Sequence, residues 1–362
     1  MSLAVKRFNV VKMVLNKSMF DENVINIILK YYWKDLKNKR KVLLDWINID
    51  KIHWGVLSKN INAVDLLKKQ IEYENTLSKK EYDNLIYFKK INWYYLSNNI
   101  NAIHIIENNL DKIDWYELSN NINAIHIIEN NLDKINLECL SWNINAVHIL
   151  ENNLDKINWE CLSWNINAIH IIENNLDKIN TINCLEGLSS NSNAIHILEN
   201  NLDKLDWVAI AGNINATNII KNNMDKICDD PVALLNLSIN ENAIDIIDKN
   251  LDKIDWKTLS LNYNAINIIE NNLDKIDWFN LCTNINAIHI IENNLDKINW
   301  FALSSNINAI DILKNNLDKI DWFALSSNIN AIDILKNNLD KIDWYQLSKN
   351  PSIFEDESMP TV

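Results

Sequence analysis

The chain has 362 residues, a formal net charge of −13, and only three glycines and three prolines. Such acidity argues against a nucleic-acid backbone as partner, and so little Gly and Pro disfavours an all-β fold rich in tight turns. Five cysteines, an odd number with no CxxC pair, point to reduced fillers in a cytosol-like compartment rather than a disulfide framework.

Residues 1–42 stand apart from the rest of the chain. The opening MSLAVKRFNVVKMVLNKSMF is too polar for a membrane span, and it lacks the unbroken apolar core of a signal peptide. Asp21–Trp33 reads as an amphipathic helix, followed by the basic run Lys37–Lys41. This stretch is expected to be an N-terminal helical cap over the exposed edge of the first repeat. It also resembles a degenerate F-box start, which would imply recruitment to a ubiquitin-ligase scaffold.

From 43 to 354 the chain repeats itself. Residues 99–120, NINAIHIIENNLDKIDWYELSN, are followed at 121–142 by NINAIHIIENNLDKINLECLSW. The alanine of this phrase falls at 63, 102, 124, 146, 168, 194, 216, 243, 265, 287, 309 and 331, and a thirteenth copy carries Ile353 instead. A fixed period of 22 residues is the signature of a solenoid, in which no repeat buries its apolar face alone.

The last copy opens Asn350-Pro351, and Pro favours the first helical position after an Asn N-cap. A helix is therefore expected from about Ile100 to Asn108, with Ala102, Ile103, Ile105, Ile106 and Leu110 on one face. The Asn108-Asn109 pair would end it in a left-handed conformation. Asp114 then caps a shorter second helix, with Glu117 at capping-box spacing. A leucine-rich repeat is the rival, but the Asn expected after its strand is missing. The expected fold class is all-α: a solenoid of about thirteen two-helix repeats of 22 residues, with the N-terminal helical cap before it.

Insertions interrupt the period at 71–90, 180–187 and 228–236, and the two shorter ones are expected to bulge from one turn. Residues 355–362, with Glu355-Asp356-Glu357, read as a disordered acidic tail. Across 43–355 the phrase NxNAIxIIExNLDKIDWxxLS resembles the 22-residue tandem repeats that giant amoeba-infecting DNA viruses encode in large families. That resemblance implies a protein-interaction repeat with no catalytic residues to carry over.

Six of the seven histidines share one repeat position: His104, His126, His148, His170, His196 and His289. Rungs about 9–10 Å apart are too far for shared zinc, whose ligands lie within roughly 3–4 Å of one another. The alternative is a pH-sensitive stripe over the five adjacent ones, His104, His126, His148, His170 and His196, with each His paired three residues on to a Glu such as Glu107 or Glu129. The Asp-Lys pairs at 111–112 and onward would set register between repeats. A Trp stripe from Trp54 to Trp344 reads as core. Trp142 and Trp164, at a position that otherwise varies, and the row Phe279, Phe301, Phe323 and Tyr345 are the expected partner contacts, since exposed aromatics make binding hot spots. No Gly-rich phosphate loop is present, and the Ser of each Leu-Ser faces inward. The sequence thus points to a non-enzymatic protein-binding scaffold, with no metal, cofactor, nucleic acid, membrane or small-molecule substrate. Its partner would be a host or viral protein in the host cytoplasm, viral factory or virion. A ubiquitin-ligase adaptor and a self-associating structural component are the alternatives.

Overall fold

The computed structural model describes residues 41–357. It is an all-α solenoid of short paired helices, with one two-stranded sheet among the described residues. The cap and F-box-like stretch expected in 1–42 lie outside the described residues, apart from Lys41 and Val42. Residues 97–343 form one compact unit, and the described residues up to 96 with those from 344 onward form another.

In the first of these units the repeat 121–142 represents its neighbours. Asn121 is wholly buried, yet each of its polar atoms is bonded. Its Oδ1 accepts from the backbone N–H of Asn123 at 3.1 Å, and its Nδ2 donates to the carbonyls of Ser97 at 2.9 Å and Asn99 at 3.3 Å. Asn123 Nδ2 reaches the carbonyl of Ile100 at 2.9 Å. The same bonds recur at Asn143, Asn165, Asn213, Asn262, Asn284, Asn306 and Asn328. This asparagine is therefore the tie between repeats, and it does not cap the α-helix directly. A hydrogen-bonded turn, Ala124 N–H to the Asn121 carbonyl at 3.1 Å, intervenes. The helix then spans only Ile125–Glu129, half the length the sequence suggests.

The Asn pair closes that helix by a different route from the one expected. No described residue has a positive φ. Instead Asn130 and Asn131 donate their side-chain amides to the carbonyls of His126 and Ile127, at 2.7 and 2.9 Å. These bonds satisfy carbonyls that a helix end would otherwise leave open.

The second helix, Trp115–Asn120 in the preceding copy, is capped by Asp114, which accepts from Glu117 N–H at 2.9 Å. The Glu117 carboxylate does not return to complete a capping box; it accepts from Asn98 Nδ2 at 2.8 Å. A second link between repeats runs through serine. Ser97 Oγ accepts from Asp114 N–H at 2.9 Å, and Ser141, Ser189, Ser260 and Ser304 repeat the bond. Cys282 stands in this serine position and its sulfur accepts from Asn299 N–H at 3.3 Å. The core is the line of Ala and Ile or Leu side chains between the two helices, such as Ala124, Ile127, Ile128 and Leu140. The insertions near 180 and 228 do not bulge from a turn. They lengthen the second helix to Ile182–Ser190 and Pro231–Ile239.

The other unit joins the two ends of the repeat array. Strand β1, Lys41–Leu43, pairs antiparallel with β2, Phe354–Asp356, and Lys41 Nζ meets Asp356 Oδ1 at 2.6 Å. Glu355 and Asp356, expected in a disordered tail, thus belong to a strand. Asn60 of the first copy donates to the carbonyls of Ser348 and Asn350 at 3.4 and 3.1 Å, and Asn62 to that of Pro351 at 3.0 Å. His53 N–H donates to Ser348 Oγ at 2.9 Å. These are the bonds that link consecutive repeats elsewhere, so the last copy covers the first copy's edge. Pro351 opens one 3-10 turn, Pro351–Ile353, not an α-helix. The long insertion folds as an extended helix Val64–Glu74, a capped helix Lys79–Asn84 and the turn Tyr87–Lys89. Glu74 accepts from Ile91 N–H at 2.8 Å and returns the chain to register.

Two outcomes test this bonding. Asn284→Ala removes three side-chain hydrogen bonds and should cost about 2–4 kcal/mol in urea unfolding, whereas Asn293→Ala on the exposed helix end should cost under about 1 kcal/mol. Removing residues 351–362 deletes the acceptor for Leu44 N–H, the Ile353 carbonyl at 2.9 Å. Hydrogen exchange at Leu44 should then lose protection while the amides of 284–335 keep theirs.

Candidate interaction surface

The second helix of each repeat turns Leu and Ser inward and leaves two positions facing solvent. One comes directly after the Trp position and the other lies four residues later, so both share one face. Tyr116, Phe279, Phe301, Phe323 and Tyr345 occupy the first and are exposed. Trp142 and Trp164 occupy the second, 48% and 36% exposed, with their indoles stacked at 6.0 Å and 27°. The structure therefore brings these two predicted contact residues together, Trp142 in the turn after helix Leu137–Leu140 and Trp164 at the end of helix Trp159–Trp164. The Phe row is exposed as well. Tyr345 differs from it, because Lys349 Nζ lies 4.4 Å over its ring and His53 packs against its edge at 5.2 Å.

The Trp stripe is not uniformly core. Trp54 is buried, but Trp115, Trp159, Trp256, Trp278, Trp300 and Trp322 are half-buried. A lysine of the following copy covers several of them: Lys134 over Trp115 at 4.9 Å, Lys275 over Trp256 at 4.9 Å, Lys297 over Trp278 at 5.3 Å and Lys319 over Trp300 at 5.1 Å. The Lys of the Asp-Lys pair therefore joins repeats through a cation–π contact.

The histidine stripe pairs differently from its sequence spacing. Five of the six rings meet the glutamate of the preceding repeat, not the one three residues on. His126 Nε2 lies 2.6 Å from Glu107, His148 2.7 Å from Glu129, and His170 2.5 Å from Glu151. His289 meets Glu270 at 2.5 Å, and the insertion after Glu173 stretches the His196 pair to 3.6 Å. His104 has Lys68 at the corresponding place in the copy before it. All these rings are exposed, and no three His, Cys, Asp or Glu among the described residues converge on a metal-sized site.

The seventh histidine, passed over in the sequence, takes a capping place of its own. His53 stands at the position that Asp114 or Asn158 occupies elsewhere, and its Nδ1 accepts from Val56 N–H at 3.2 Å. Tyr87 and Phe88, brought by the long insertion, lie 5.7 and 5.9 Å from the ring. The misplaced cap residue was the available signal.

Burial pushes the Cys139, Cys161 and Cys282 thiols up, and a hydrogen bond between Tyr116 and Cys139 raises the tyrosine hydroxyl. Neutral thiols are poor nucleophiles, and the Ser hydroxyls that link the repeats are already engaged. A cleft of about 280 Å³ opens beside Trp164, between Glu186, Asp206 and Gly212. A second, of about 350 Å³, lies among Asn218, Lys221, Asp245 and Lys249 on the first helices. No helix among the described residues is long and apolar enough to cross a membrane. Comparison with family models, characterised proteins and solved structures finds no match.

Burial lowers the pKa of His53 from the ordinary 6.5. The neutral ring is the capping form, so its contribution is complete above about pH 6.5 and is lost as pH falls through the lower folded value. Thermal melts between about pH 5 and 7.5 should show wild type losing stability on acidification. In His53→Asn, which keeps a cap acceptor that does not titrate, that slope should be shallower.

Proposed function

We propose that this chain is a non-catalytic protein-interaction scaffold whose principal contact is the Trp142–Trp164 pair. The observation that carries the reading is two indoles stacked on each other at 6.0 Å and left open to solvent. Large rigid aromatics bury much apolar area at little entropic cost, and they dominate the energetics of protein interfaces. Four half-buried indoles elsewhere, Trp115, Trp256, Trp278 and Trp300, each carry a lysine over the ring, which the open pair does not among the described residues. The row Phe279, Phe301 and Phe323 offers a secondary contact along the same helix face. The resemblance of the repeat to those of giant amoeba viruses leads us to seek the partner among host or viral proteins of the infected cytoplasm.

The alternatives gain less. A ubiquitin-ligase adaptor rests on residues 20–40, outside the described residues. End-to-end assembly needs a free edge on the first copy, whereas Ser348 and Asn350 occupy it.

Affinity capture from the producing cells tests the reading, with wild type and Trp142→Ala/Trp164→Ala as baits. The double variant removes exposed side chains and should retain its helical circular dichroism. A defined partner held by wild type and lost by the variant supports the site. Identical proteins on both baits would reject it.

A further inference from the structure

The residues around the two open indoles specify what they hold. The position four residues before Trp142 is Glu138, and the position four before Trp164 is Glu160. In the next copy the same row carries Glu186, exposed beside the cleft that Trp164 walls. Other copies put Tyr116, Phe279, Phe301 or Phe323 in that row. Three consecutive glutamates therefore align along the stacked tryptophans, and neither exposed row holds a Lys or Arg between Tyr116 and Gly212.

A glycine seats the indole. At Gly187 a Cβ would come within 2.0 Å of Ser163 Oγ and 2.8 Å of the Trp164 Cδ1 and Nε1, so only a bare backbone packs behind this tryptophan. Ser190 and Gly212 keep the cleft of about 280 Å³ open, and Asp206 adds a carboxylate at its wall. An indole face and a carboxylate together suit a cation, which gains from the ring quadrupole and from the charge. The protein supplies its own precedent, since Lys134, Lys275, Lys297 and Lys319 each sit about 5 Å over an indole. No such lysine covers Trp142 or Trp164 among the described residues.

We propose that Trp142 and Trp164, with Glu138, Glu160 and Glu186, form a docking site for an extended basic peptide segment, its Lys or Arg side chains lying on the indoles. The proposal rests on the scaffold reading and names the chemistry of its partner. Neighbouring helices pack about 8–10 Å apart, and a chain extended as a polyproline II helix, with three residues per turn at about 3.1 Å each, advances roughly 9 Å per turn and returns every third side chain to the same face. A cation at every third residue matches one glutamate per repeat.

The test uses the full chain and a short fluorescein-labelled peptide with arginine at every third residue and alanine between. A matched peptide carries glutamine in place of arginine. Fluorescence anisotropy should show the arginine peptide bound and the glutamine peptide at least about ten-fold weaker. Glu138→Gln/Glu186→Gln should weaken binding about five-fold, and high salt should weaken it further. Glu160 is left intact because it accepts from Thr181 and Asn183 at 3.2 and 3.1 Å. Asp311→Asn/Asp333→Asn removes two carboxylates from other repeats and should change nothing. Absence of arginine-peptide binding, equal binding of the glutamine peptide, or equal weakening by the distant pair overturns the proposal. A captured partner that needs the tryptophans but tolerates Glu138→Gln/Glu186→Gln would overturn the cationic chemistry and leave the scaffold reading standing. Capture indifferent to the tryptophans would sink both.

Discussion

A buried asparagine side chain holds the repeat array together. Its carbonyl oxygen shapes the turn of its own repeat, while its amide bridges two carbonyls of the repeat before, as Asn284 does to Ser260 and Asn262, both at 3.1 Å. Few other side chains meet that demand. Aspartate offers no donors and would set a carboxylate against two carbonyl oxygens; serine is too short to reach both sides. Left unbonded, backbone carbonyls buried at this seam would cost the array at every repeat. The asparagine accordingly stands in every copy from Asn60 to Asn350.

With the seam and core settled by asparagine, serine, alanine and isoleucine, the outer face of the second helix is free to vary. Two positions on it carry most of the difference between copies. Changing these from Tyr and Asn to Glu and Trp in consecutive repeats builds a local patch while the buried asparagine bonds between repeats stay in place. The indoles of Trp115, Trp256, Trp278 and Trp300, one position before this face, are each covered by the next repeat's lysine. Distinct surfaces can thus be written onto one frame.

The terminal copies obey the same bonding rules. Ser348 and Asn350 offer the first copy the acceptors that Ser97 and Asn99 offer Asn121, and the short sheet of β1 with β2 adds backbone bonds beside them. Helical arrays ordinarily shield their end faces with atypical caps. Here the first copy's face is met by the last copy. The substitution of His53 at a cap position, and the aromatic insertion around it, are confined to this junction.

Periodicity by itself determined the all-α solenoid, the length of the repeat and the inward face of its Ala and Ile residues, because a fixed apolar spacing can bury itself in few ways; the leucine expected on that face is instead exposed in most copies, as at Leu132 and Leu317. It also marked Trp142, Trp164 and the Phe row as exposed, since they fall where copies disagree. Tertiary structure decided what each polar residue bonds to. The asparagine reaches back one repeat instead of capping its own helix, the histidine meets the previous repeat's glutamate, and the lysine covers the previous repeat's indole. Those partners are 19 to 24 residues away in sequence and come together only when repeats stack. Sequence spacing reports neighbours along one helix; neighbours across the seam, and the meeting of the first copy with the last, exist only in the folded chain.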